Sequence, residues 1–98
     1  MQWVEMIQVR PTLQNRADGE ETLRNMLEEF RMLKHLASAT IWIQPEEFGD
    51  VAAVLLWDND RRPVKTREGY LLAGAMARYG SVSHVVWQVC TGPEGLTS

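Results

Sequence analysis

Two ionisable side chains interrupt segments that are otherwise apolar, one near each end of the sequence. Glu5 stands in the first such segment and His84 in the last. A histidine titrates near neutral pH and can accept a phenolic or enolic proton, and a carboxylate removed from water is a second base candidate. The alternative is structural, with His84 bonded to backbone or to a dimer partner and Glu5 paired at a dimer seam or exposed at a strand end. Glu5 and His84 are therefore the candidate catalytic residues.

Tryptophans supply a second kind of candidate site. The sequence has four of them in 98 residues, namely Trp3, Trp42, Trp57 and Trp87. Such rings can form an aromatic slot for a flat molecule, or they can be ordinary core, because each buries a large apolar area. We therefore expect a small aromatic molecule as a partner only if some of these rings line a cavity.

Basic residues cluster before the second predicted helix. They are Arg61, Arg62, Lys65 and Arg67. Near a helix N-terminus such residues can hold a carboxylate or a phosphate. The alternative is a solvated loop whose charges are balanced by Asp58 and Asp60.

Composition limits the other classes of function. The net charge is -3 and the pI about 5.3, so we expect neither nucleic acid nor a membrane surface as a partner. Two distant histidines and the single Cys90 are too few for a metal site, and no Gly-rich phosphate loop occurs, so we expect no cofactor. The lone cysteine and the lack of an apolar leader favour a cytoplasmic protein.

The pattern of apolar residues predicts six elements in one domain over residues 1–98. Three-four spacing of apolar residues predicts the helices, and β-formers bounded by Pro and Gly predict the strands. The first helix follows a loop at 15–19, is capped by Asp18 and ends near Leu36. The second is capped by Thr66 and runs to about Tyr79, with Gly80 as a left-handed C′ residue. The predicted strands are Gln2–Arg10, Thr40–Gln44, Val51–Trp57 and Val82–Cys90, followed by a frayed tail over residues 91–98.

The order βαββαβ predicts an α+β fold, a ferredoxin-like sandwich whose four antiparallel strands carry both helices on one face. Val51–Trp57 is apolar on both faces and should be central in the sheet. The uncovered face would then be apolar as well. A second copy of the same sheet is its expected cover, so we predict a homodimer.

The chain resembles the antibiotic biosynthesis monooxygenase-like branch of the dimeric α+β barrel superfamily. The segments that carry the resemblance are VEMIQVRP, LRNMLEEFRMLKHL, AAVLLWDN, TREGYLLAGAMARYG and VSHVVWQV. It implies a dimeric barrel and, as one of several activities, a cofactor-independent oxygenase acting on an apolar aromatic compound. Such oxygenases use a loose set of Trp, Asn, Tyr, Arg and His residues around an apolar pocket. The resemblance implies that Trp57, Asn59, Tyr70 and His84 supply such a set here. Together with Trp42, the first three are the candidate substrate-binding residues.

Haem-degrading relatives are a poorer match. They use an asparagine on the first strand, a tryptophan ending the third and a histidine on the second helix. Trp57 fits, but Glu5 is the nearest first-strand polar residue and the second predicted helix has no histidine. The resemblance therefore does not imply haem turnover. Two other hypotheses stay open: a non-catalytic dimeric module that binds a small molecule or supports an assembly, and a ferredoxin-like regulatory domain.

Overall fold

A computed structural model describes residues 2–12, 15–46 and 49–88 of the chain. The element order βαββαβ predicted from the sequence is confirmed. The elements are β1 (Gln2–Pro11), α1 (Arg16–Phe30), β2 (Leu36–Ile43), β3 (Val51–Asp58), α2 (Arg67–Met76) and β4 (Gly80–Gln88).

The four strands form one antiparallel sheet in the order β2-β3-β1-β4. The strand that is apolar on both faces, β3, lies inside the sheet beside β1, as predicted. On β1, Glu5 pairs with Leu55 of β3 and with Val86 of β4, while Ile7 pairs with His84. Because side chains alternate along a strand, Glu5 and His84 share one face of the sheet, diagonally across two neighbouring strands.

Both helices cover that face. Leu23, Leu27 and Phe30 of α1 and Leu72 and Met76 of α2 are buried against it. The sheet contributes alternate residues of its two central strands, namely Trp3, Ile7, Val9, Val51, Ala53, Leu55 and Trp57. This single layer of core fixes how α2 sits over β1 and β4. Neither helix has the length and apolar character needed to cross a bilayer.

Within residues 2–12, 15–46 and 49–88, no helix lies on the opposite face of the sheet. Its partly exposed apolar residues include Met6, Val54 and Val85. Trp42 on β2 is 64% exposed, and Trp87 on β4 is 62% exposed. Exposed apolar surface of this kind is typical of faces that small domains use to contact other molecules.

The bounds of the first helix and second strand differ from the predicted ones. α1 begins at Arg16, with Asn15 as its N-cap, and ends at Phe30. The apolar spacing continues to Leu36, but Leu36 is the first residue of β2. The reversal happens at His35, whose φ of 70° is left-handed and whose carbonyl oxygen accepts from Asp58 N at 2.8 Å. A non-glycine residue in this conformation leaves no periodic signal in the sequence.

Gly80 is not the left-handed cap that the sequence predicted. α2 ends at Met76 with Ala77 in a right-handed conformation, and no glycine among the described residues has a positive φ. Gly80 begins β4 and pairs with Pro11, where a Cβ would overlap the carbonyl oxygen of Arg10. Glycine is therefore required for close backbone approach. The predicted end of β4 at residues 89 and 90, with the tail 91–98, lies outside the described residues.

Candidate functional site

A buried carboxylate with four hydrogen-bond donors forms the centre of the candidate site. Glu5 on β1 is 0% exposed. Its Oε1 accepts from Trp57 Nε1 at 3.0 Å and from Thr66 Oγ1 at 2.6 Å. Its Oε2 accepts from Thr66 N at 2.8 Å and lies 2.6 Å from His84 Nε2. An ionised carboxylate offers about four lone-pair sites, so these contacts leave none for a substrate.

Thr66 is the N-cap of α2, as the sequence predicted. Its Oγ1 accepts from Gly69 N at 3.0 Å, the usual bond of an N-cap hydroxyl. Because the oxygen accepts from the helix, its own hydrogen is free for Glu5. One residue thus caps a helix and supplies two of the donors to the carboxylate.

Gly69 lets the first turn of α2 approach the carboxylate. A Cβ at this position would overlap Glu5 Oε2 and lie 2.7 Å from His84 Nε2. Thr66 and Gly69 are site residues that the sequence patterns did not predict. A signal was present, since glycine inside a helix weakens it and therefore indicates close packing.

His84 is held on two sides. Nε2 faces Glu5, and the ring lies edge-on to that of Tyr70, with centroids 5.2 Å apart and an angle of 78°. With Glu5 ionised, Nε2 must carry the hydrogen, and Nδ1 of a neutral ring is then an acceptor. Within the described chain Nδ1 has no hydrogen-bond partner. No fully buried side-chain nitrogen or oxygen of the described residues lacks a hydrogen-bond partner. Nδ1 is therefore in part accessible and is free to accept a hydrogen bond.

The other candidates lie at two different places. Asn59 is close to the site, since its Oδ1 accepts from Trp3 Nε1 at 3.1 Å, and the Trp3 and Trp57 rings stack with centroids 5.9 Å apart. Trp42 lies on the uncovered face, and its Nε1 donates to Thr40 at 2.9 Å. The structure therefore brings together Glu5, His84, Trp57 and Tyr70. Asn59 is linked to this group through Trp3. Trp42 is not part of this group.

A groove of about 410 Å³ opens at the Asn59 end of the site. Trp3, Trp57, Asn59 and Thr66 are among its lining residues. Trp57 and Thr66 also bond to Glu5, so the groove is one side chain away from the carboxylate. No group of three His, Cys, Asp or Glu residues in the described ranges is arranged to hold a metal ion.

The fold is the ferredoxin-like α+β fold, and solved structures of this fold match nearly the whole chain. Rv0793 from Mycobacterium tuberculosis matches with a TM-score of 0.71 and 10% identity over 95% of this chain and 99% of its own. A protein of unknown function from Bacteroides thetaiotaomicron, described as a possible oxidoreductase, has a TM-score of 0.71 and 10% identity over 90% and 97% of the two chains.

A single-residue variant of SnoaB, a cofactor-independent oxygenase from Streptomyces nogalater, is also similar. It has a TM-score of 0.63 and 14% identity over 94% of both chains. At these identities the likeness establishes the fold. No family model matches the sequence, and no curated protein matches it.

Proposed function

We propose that the protein is a cofactor-independent oxygenase acting on an apolar aromatic compound, with Nδ1 of His84 as the base. The observation that carries the proposal is the fully buried Glu5 carboxylate, which binds His84 Nε2 at 2.6 Å and has all its acceptor sites in use. This arrangement fixes the ring and leaves one nitrogen free. The fold shared with SnoaB supports the reaction class.

The chemistry needs only a base and molecular oxygen. Nδ1 takes a proton from an activated methylene group of the substrate. In an anthrone, which is the keto tautomer of a phenol, the methylene group lies opposite the carbonyl group in the central ring. The carbanion transfers electrons to oxygen and forms a C–O bond, and the histidine returns its proton to the peroxide. Loss of the second C–H proton with cleavage of the O–O bond releases water. The balance is one methylene plus one O₂ to one carbonyl plus one H₂O. In this scheme Glu5 stabilises the imidazolium and is not itself the base.

The active form that we propose is a homodimer. The helix-free face of the sheet exposes apolar side chains, including Trp42 and Trp87, and a second copy of that face is complementary to it. The single cysteine of the sequence fits a reducing compartment, and we propose a cytoplasmic location.

The test uses dithranol, a tricyclic anthrone, as the probe. We expect the protein to raise oxygen uptake and quinone formation above the buffer rate. His84→Gln keeps an N–H donor for Glu5 but removes the basic ring nitrogen, since an amide oxygen cannot act as a general base, so it should lower the catalysed rate by about a hundredfold. Arg24→Gln is the control and should leave the rate unchanged, because Arg24 is an exposed residue of α1 that is not among the lining residues of the groove. Equal rates for the wild type and His84→Gln would overturn the assignment.

A non-catalytic dimeric ligand-binding module is the second candidate. One observation favours it: the His84 side chain is only 7% exposed, and the backbone of Gly69 fills the space over the Glu5–His84 pair. Under this hypothesis dithranol or another aromatic compound quenches tryptophan fluorescence without any oxygen uptake. Binding without turnover would select the module, and turnover that depends on His84 would select the oxygenase.

A further inference from the structure

The groove beside Trp57 gathers basic side chains. Five cations line it, namely Lys34, Arg61, Arg62, Lys65 and Arg67. Among the described residues that line it, Glu68 alone is acidic. The chain as a whole has a net charge of -3, so the groove is rich in positive charge although the chain is acidic overall.

These five cations make no ion pair with any described residue. Other arginines do: Arg10 pairs with Asp50, Arg16 with Glu20 and Arg31 with Glu28. Among the described residues, the five cations of the groove thus lack the carboxylate partners that these three arginines have. The positive charge of the groove is therefore available to a ligand.

One wall of the groove is fixed by hydrogen bonds. Asn59 Oδ1 accepts from Trp3 Nε1 at 3.1 Å and from Arg61 N at 2.9 Å, which ties the basic loop to the tryptophan pair. Trp57 is held in turn by Glu5. A preformed wall lowers the entropy cost of binding.

The lining is apolar as well as basic. Leu33, Val64, Trp3 and Trp57 contribute to it, and Val64 is 55% exposed. Guanidinium groups bind carboxylate and phosphate oxygens through paired N–H donors, while the apolar residues offer contact to a hydrocarbon body. A volume of about 410 Å³ lies within the range of small-molecule sites.

We propose that this groove binds an organic anion, with its carboxylate or phosphate against Arg62, Lys65 and Arg67. Its apolar body lies against the exposed side chain of Val64, beside the tryptophan wall. The inference goes beyond the proposed function, because it needs neither His84 nor oxygen. It would hold equally for an enzyme and for a binding module.

The experiment is a titration followed by the ¹H–¹⁵N signals of the four indoles. The probes are naphthoate, naphthyl phosphate and the neutral naphthamide. We expect either anion to shift the signals of Trp3 and Trp57 and to leave those of Trp42 and Trp87 in place. The amide should bind at least about tenfold more weakly, and added salt should weaken the binding of the anions only. The tighter of the two anions identifies the acidic group.

Paired charge variants provide the control. Arg62→Gln with Lys65→Gln should weaken anion binding by about tenfold or more. Arg24→Gln with Arg31→Gln removes the same charge from exposed positions of α1 and its end, outside the groove, and should change binding little. His84→Gln should bind as the wild type does, which separates this test from that of the oxygenase.

Three results would overturn the proposal. Equal affinity for the anions and the amide would mean that the cations do not recognise charge. Shifts at Trp42 and Trp87 instead of Trp3 and Trp57 would place the ligand on the helix-free face. Single-stranded RNA that binds the groove more tightly than either small anion would make it a nucleic-acid site.

Discussion

The two faces of the sheet differ in how far they bury their tryptophan side chains. On the helix-covered face, Trp3 and Trp57 are buried, and each indole N–H has an acceptor, Asn59 and Glu5 respectively. On the other face, Trp42 and Trp87 have most of their surface exposed. The covered face is complete within one chain, while the open face needs a second surface to bury comparable rings.

The difference extends to polar groups. The covered face takes in a carboxylate that would be costly to bury alone, and four donors offset that cost. Such a network depends on every member, because a partly satisfied one is worse than an apolar core. Substitutions on the covered face should therefore act on folding, and substitutions on the open face should act on association.

Gly69→Ala should have the largest effect. The new Cβ would overlap Glu5 Oε2, and the carboxylate cannot swing away without losing its donors. We expect a loss of about 3 kcal/mol or more in the free energy of unfolding, measured by urea denaturation. A loss below about 0.5 kcal/mol would show that α2 does not pack this closely on Glu5.

Glu5→Gln should come next. The amide keeps one acceptor oxygen and places an NH₂ group against donors such as Thr66 N. At least one buried donor is then unsatisfied, which costs about 2 kcal/mol. His84→Gln retains a donor to Oε2 and should cost less in the same urea titration. The reverse order of these two losses would contradict the donor assignment.

Trp87→Arg tests the open face. A side chain that is 62% exposed in one chain should matter little for folding of that chain. In the proposed dimer it would cost about 2 kcal/mol or more of association free energy, seen by sedimentation velocity as a shift from dimer to monomer. Val64→Arg, at another exposed apolar position, is the control and should stay dimeric. A wild type that sediments as a folded monomer at micromolar concentration would refute the dimer.

The sequence predicts the element order and the central place of β3, because both follow from local apolar patterning. It also predicts the cap at Thr66. It does not predict that Glu5 and His84 touch, since they are 79 residues apart and their contact depends on the register of β1 with β4. The end of α1 is not predicted either, because the helical spacing of apolar residues continues to Leu36 and gives no sign of the left-handed turn at His35.

The charge state of the basic loop is a further limit of sequence reasoning. Two acids at 58 and 60 followed by two cations at 61 and 62 suggest mutual neutralisation, yet pairing requires side chains to meet in space. The bond from Arg61 N to Asn59 Oδ1 fixes the path of this loop. The amino-acid composition of the loop does not predict which of its charged side chains come into contact.

Gly74→Ala should have the smallest effect and the opposite sign to Gly69→Ala, although both glycines lie in α2. A Cβ at Gly74 meets nothing within 4 Å, so the substitution adds no clash and removes backbone freedom from the unfolded chain. We expect a gain of up to about 1 kcal/mol in the free energy of unfolding, measured in the same urea titration. Because the two positions share one helix, the difference between the two variants isolates the contact with Glu5 from helix propensity. A loss at Gly74 would mean that the outer side of α2 is packed against another surface, and that the covered face also depends on a partner.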